Sequence, residues 1–190
     1  MKIYDISQEL FGSVVFPGNP APECEQLKQI EDGQTANLSK ISLCTHNGTH
    51  VDAPRHFIRD GKTIDQMDLA RLVGPCSVIA YSGVLTASEA ERLIRGRQKR
   101  LLWKGDMVFG VEAAEVFVRE SVLLVGVECQ TVGPEDARAE VHRTLLGNEL
   151  AIIEGLRLGD VPEGDYLLSA APINLGGLEG APCRALLIRD

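Results

Sequence analysis

The stretch THNGTHVDAPRHF, residues 45–57, concentrates three of the chain's four histidines and one aspartate in thirteen positions. Imidazole nitrogens and carboxylate oxygens are donors suited to divalent ions such as Zn²⁺ and Mn²⁺, and imidazole also carries protons near neutral pH. The stretch could be a metal site or only a polar turn between two strands, and its local geometry bears on the choice. Asn47, Gly48 and Thr49 are poor helix formers and Pro54 restricts Ala53 to extended conformations, so an extended segment is predicted. Side chains then alternate, with His50, Asp52, Pro54 and His56 on one face and Thr49, Val51, Ala53 and Arg55 on the other. Asn47-Gly48 is a turn signal that can fold His46 back to the same place. His46 and His50 have the spacing of the helical zinc-protease pair, but that motif needs a glutamate after the first histidine and a helix under both, which Asn47 and Gly48 exclude. His46 alone reads as an ordinary surface or core histidine. Two imidazoles and a carboxylate at convergent spacing together point to a metal, with coordination positions left open as a catalytic site requires.

A second group lies in EVHRTLLGNELAIIEGL, residues 140–156. On a helical wheel His142 sits between Leu145 and Leu146 at the edge of the apolar stripe, while Glu140 and Arg143 point to solvent. Glu154 ends the apolar run LAII, where a carboxylate is either exposed at a strand end or meets a cation.

These residues need a scaffold, and the chain alternates strand-like and helix-like patterns with no repeat or linker. Strands are predicted over 2–7, 38–44, 76–82, 122–128, 150–154, 165–171 and 184–189. Helices are predicted over 86–95, with Thr86 and Glu89 spaced as a capping box, then 111–120 and 134–146. One α/β domain spanning 1–190 follows, a mixed sheet with helices on one side. The loop NLGGLEGAP, residues 174–182, reads as flexible and carries no assigned role. The basic run RLIRGRQKR, residues 92–100, reads as a solvated helix end and loop.

A length of 190 residues with 44% hydrophobic and 24% charged residues is ordinary globular composition. A net charge of −8 argues against binding nucleic acid through its phosphates. The N-terminus has neither a signal-peptide nor a membrane-anchor pattern, so a cytoplasmic protein is expected. Five scattered cysteines without a C-x-x-C pair suit reduced thiols.

HNGTHVDAPRHF together with VHRTLLGNELAIIEGL resembles the cyclase-like metal-dependent hydrolases, the family of the bacterial kynurenine formamidases and isatin hydrolases. The likeness extends through FPGNP (16–20), GKTIDQMDL (61–69), LVGPC (72–76), LLVGVECQTVGP (123–134) and GLEGAPCRALLI (177–188). It implies a β/β/α architecture of the swivelling-domain type, a homodimer or higher homo-oligomer, and a small-molecule substrate. It also implies two divalent ions, Zn²⁺ first and Mn²⁺ second, with His46 and His50 on one ion, His142 on the other, and Asp52 and Glu154 bridging. His56 would stand outside as the proton carrier while a hydroxide held between the ions attacks a small amide. Phe16 matches a position where the formamidases carry a tryptophan near the substrate, and Asn19 one where an aspartate is common. The substrate implied first is N-formylkynurenine. The same chemistry on another cyclic amide, lactone or polyketide-like compound, or a non-catalytic binding role, are the alternatives.

Overall fold

A computed structural model describes residues 1–189. Its elements in chain order are strands β1 (Lys2–Asp5), β2 (Glu23–Lys28), β3 (Leu38–Ser42), β4 (His50–Asp52), β5 (Val73–Ala80) and β6 (Gly83–Leu85) and helix α1 (Ala87–Leu93). Next come β7 (Arg100–Lys104), β8 (Met107–Phe109), α2 (Val111–Arg119), β9 (Leu124–Val127), α3 (Arg138–Gly147) and β10 (Ala151–Glu154). The chain ends with β11 (Gly164–Ser169), β12 (Gly180–Pro182) and β13 (Leu186–Arg189).

Nine strands form one curled mixed sheet in the order β1-β13-β11-β5-β7-β9-β10-β4-β12. Its centre, β5-β7-β9-β10, is parallel, and the wings on either side are antiparallel. The parallel strands are buried on both faces and read as continuous apolar runs. Neighbouring residues therefore enter opposite cores. Ile79, Leu101, Trp103, Val125 and Ile152 pack with Ala90 of α1, Phe117 of α2 and Leu145 of α3. Val78, Leu102, Leu124 and Ile153 pack with Ile6, Val51, Leu72, Leu168 and Ala181 from the wings and loops. All three helices thus cover one face, as the sequence predicts. Thr86 and Glu89 form the expected capping box on α1.

Several boundaries differ from expectation. The strand predicted over 76–82 runs Val73–Ala80, and the helix predicted over 134–146 begins at Arg138. β2, β6, β7, β8 and β12 have no counterpart among the predicted strands. β7 was hidden by the basic run before it. Arg100, read as solvated, is buried and donates to the carbonyls of Arg71 (2.9 Å), Pro75 (3.1 Å) and Ala70. Three backbone acceptors satisfy the guanidinium where no carboxylate does. The loop read as flexible contains β12, which closes the sheet edge against β4. All five cysteines are free.

Candidate metal centre

β4 carries two of the predicted ligands and is paired on both sides. Against β10, Glu154 faces His50 and Ile152 faces Asp52; against β12, Pro182 faces His50 and Gly180 faces Asp52. The period of two sends Val51 into the loop-side core and turns His50 and Asp52 to the helix-covered face, where α3 lowers His142 onto them. Short apolar strands thus set the register, and the register juxtaposes residues about a hundred positions apart.

The turn before β4 forms as predicted. Gly48 has φ 64, and Asn47 Oδ1 accepts from the Cys44 N–H at 2.7 Å, which folds His46 back beside Asp52. The extended segment, however, stops at Asp52. Pro54–His56 forms one turn of 3-10 helix, so His56 does not continue the strand face. Proline holds Ala53 extended, yet its own fixed φ also suits the first position of a helical turn. Gly61 permits this turn, since a Cβ there would lie 2.6 Å from the Pro54 carbonyl carbon. The turn still delivers His56 to the site, with its ring stacked on His46 at 4.0 Å.

Five side chains converge. His46 Nδ1 is 3.0 Å and His50 Nε2 3.4 Å from Asp52 Oδ1, while His142 Nε2 is 3.7 Å from Asp52 Oδ2. Glu154 offers Oε2 to His50 at 3.5 Å and Oε1 to His142 at 3.2 Å. Asp52 therefore belongs to two possible ligand groups, one with His46 and His50, the other with His142 and Glu154. Two of the rings are oriented by backbone carbonyls: His50 Nδ1 donates to Gly48 O at 3.0 Å and His142 Nδ1 to Arg138 O at 2.7 Å. That arrangement turns each Nε2 toward the centre. Phe57, stacked on His142 at 4.3 Å, holds that ring from behind.

The electrostatics of the group suit a cation. Asp52 is fully buried and neither of its oxygens has a hydrogen-bond partner; His46 Nε2 and His50 Nε2 are likewise buried without one. Such a carboxylate is costly unless charge compensates it. Burial opposes its ionisation, but the His46 and His50 rings hold it well below the usual carboxylate range. Burial also opposes a charge on His50, yet Asp52 and Glu154 outweigh it and push the ring up to about 10. His142 moves up against its burial through Glu154. Protons on the rings thus do what a divalent ion would do, and three imidazoles with two carboxylates make a donor set suited to Zn²⁺ or Mn²⁺. His56 differs: burial lowers its pKa, and it belongs to neither ligand group.

The centre forms the floor of a cavity of about 280 Å³, and Phe16, Asn19, His56 and Phe57 are on its wall. Two residues without a predicted role approach His46. A Cβ on Gly180 would lie 2.8 Å from its Cε1, and Glu179 Oε1 is 3.6 Å from its Nε2. Nothing in their spacing signals this, because β12 reaches the site only through pairing with β4.

A family model described as "Putative cyclase" matches residues 4–134. The chain belongs to the cyclase family. A kynurenine formamidase of Sphingopyxis alaskensis is 34% identical over 98% of this chain and 97% of its own length. Another from Erythrobacter litoralis is 31% identical over 98% of this chain and 93% of its own. A solved structure described as a potential metal-dependent hydrolase with cyclase activity superposes with a TM-score of 0.84 at 30% identity, covering 100% of this chain and 98% of that one. The family and fold expected from the HNGTHVDAPRHF motif both hold, and the chain is a hydrolase of this family. Among the described residues no helix is long and apolar enough to cross a membrane.

Proposed function

We propose that this protein is a metal-dependent arylformamidase that hydrolyses N-formylkynurenine, using two divalent ions, Zn²⁺ first and Mn²⁺ second. The observation that carries the reading is Asp52, a buried carboxylate with no protein hydrogen-bond partner, shared between two ligand groups at the base of a cavity. His46 and His50 would hold one ion and His142 the other, with Asp52 and Glu154 as the carboxylate ligands. Bound there, the ions supply Lewis-acid polarisation of a carbonyl and an acidified water.

The chain's own residues do the rest. Phe16 and Phe57 offer aromatic surface to an aryl ring in a cavity sized for a small molecule. His56, kept neutral by burial, takes a proton on a ring nitrogen and returns it to the leaving amine. The water oxygen adds to the formyl carbon, the C–N bond breaks, and formate and the arylamine leave.

The protein acts as a homodimer or higher homo-oligomer. The β2–β3 hairpin is exposed along both strands, and Leu27, Ile30, Leu38 and Ile41 around it are 47–57% exposed. An uncovered two-stranded hairpin is marginal by itself, and a second copy supplies the cover.

The test pairs elemental analysis of protein purified without chelator with kcat/KM on N-formylkynurenine and isatin. About two ions per chain and preference for the formamide are expected. Fewer than one ion per chain after added Zn²⁺ or Mn²⁺ refutes the metal reading. Negligible formamidase activity beside efficient isatin turnover refutes the substrate while leaving the metal centre.

A further inference from the structure

Once the metal centre is accounted for, two buried polar groups on the cavity wall remain without a partner: Arg138 Nε and Thr131 Oγ1. Arg138 is the only lysine or arginine on that wall. Its guanidinium carbon lies 5.0 Å from the centre of the Phe16 ring, and the lysine and arginine ion pairs of the described residues do not include it. Its backbone carbonyl receives the His142 Nδ1 proton, which places the residue one helical turn from the metal centre.

A guanidinium laid over an aromatic face keeps its in-plane N–H groups available, and that planar fork matches a carboxylate. In a chain of net charge −8, a carboxylate on the substrate needs a local cation to hold it. Among the described residues, Arg138 is the one lysine or arginine that lines the cavity. We infer that Arg138 is a specificity-determining residue that binds a carboxylate on the substrate, with the Thr131 hydroxyl as a further donor on the same wall. This rests on the amidase reading and deepens it, by assigning the residue that reads the carboxylate of N-formylkynurenine.

The test compares N-formylkynurenine with N-formylkynuramine, which lacks only the carboxylate, in metal-loaded wild type, Arg138→Met and Arg138→Lys. Methionine keeps an unbranched apolar side chain and removes the charge; lysine keeps the charge and loses the fork. Arg138→Met should lower kcat/KM about 10- to 100-fold on the carboxylate substrate, through KM, the usual worth of a hydrogen bond between charged groups. N-formylkynuramine should change less than about twofold, and Arg138→Lys should fall between. Equal losses on both substrates, or no loss on either, overturn the assignment. Calorimetric binding of kynurenine and kynuramine separates it from the amidase reading. A wild type that hydrolyses neither formamide defeats that reading, yet a kynurenine preference abolished by Arg138→Met upholds the carboxylate subsite. A preference that survives the substitution overturns it.

Discussion

Gly180→Ala tests whether the sheet edge sets the metal geometry. The added methyl would lie 2.8 Å from His46 Cε1, 3.2 Å from His46 Nε2 and 3.0 Å from the Val51 carbonyl oxygen. Ordinary contact begins at 3.4 Å, so the nearest ring atom must move by roughly 0.6 Å. The Val51 carbonyl is held in the β4 strand, and the ring is the freer party. Metal–ligand distances tolerate only about 0.2 Å, so this displacement takes His46 out of coordination range. The expected result is metal affinity lowered about 10- to 100-fold, the usual effect of disturbing a group that orients a ligand. Competition against a chromophoric chelator measures it. Gly176→Ala is the control, since a Cβ there meets nothing within 4 Å. Adding His46→Ala to Gly180→Ala completes a double-mutant cycle, in which the glycine effect should vanish if it acts through that ring. Wild-type affinity in a Gly180→Ala protein of unchanged circular dichroism and Tm would refute the reasoning, as would a full effect persisting without His46.

Other outcomes follow from the same geometry. His56→Ala should keep metal content near wild type while turnover falls about 10²- to 10⁴-fold, whereas Asp52→Ala should lose the metal; a metal-free His56→Ala would make His56 a ligand. In metal-free protein the charged His50 ring, with its pKa raised from 6.5 to about 10, contributes stability that is complete below about pH 6.5 and lost as the pH rises through about 10. Denaturant titrations of chelated protein from pH 6 to 10 should show that fall, and constant stability would contradict it. Ile41→Glu on the exposed hairpin should yield monomers in light scattering, and an unchanged mass would exclude the hairpin as the interface.

The side chains that converge were legible because donor types crowd into THNGTHVDAPRHF and because the family resemblance added His142 and Glu154, whose own periodicity left Glu154 open between an exposed strand end and a cation partner. Local rules sufficed for the Asn47-Gly48 turn, the capping box at Thr86 and the inward face of His142, since each depends on neighbours a few positions away. The same rules carried the strand too far, through His56, because one proline both ends a strand and starts a turn. Tertiary structure alone decided that Glu154 lies across from His50 and that Gly180 and Glu179 back His46. It also put Arg138 over Phe16. Sequence carries the donors and the local turns; the partners of a ladder are set by which strands pair and in what register, and that choice depends on burying both sheet faces at once.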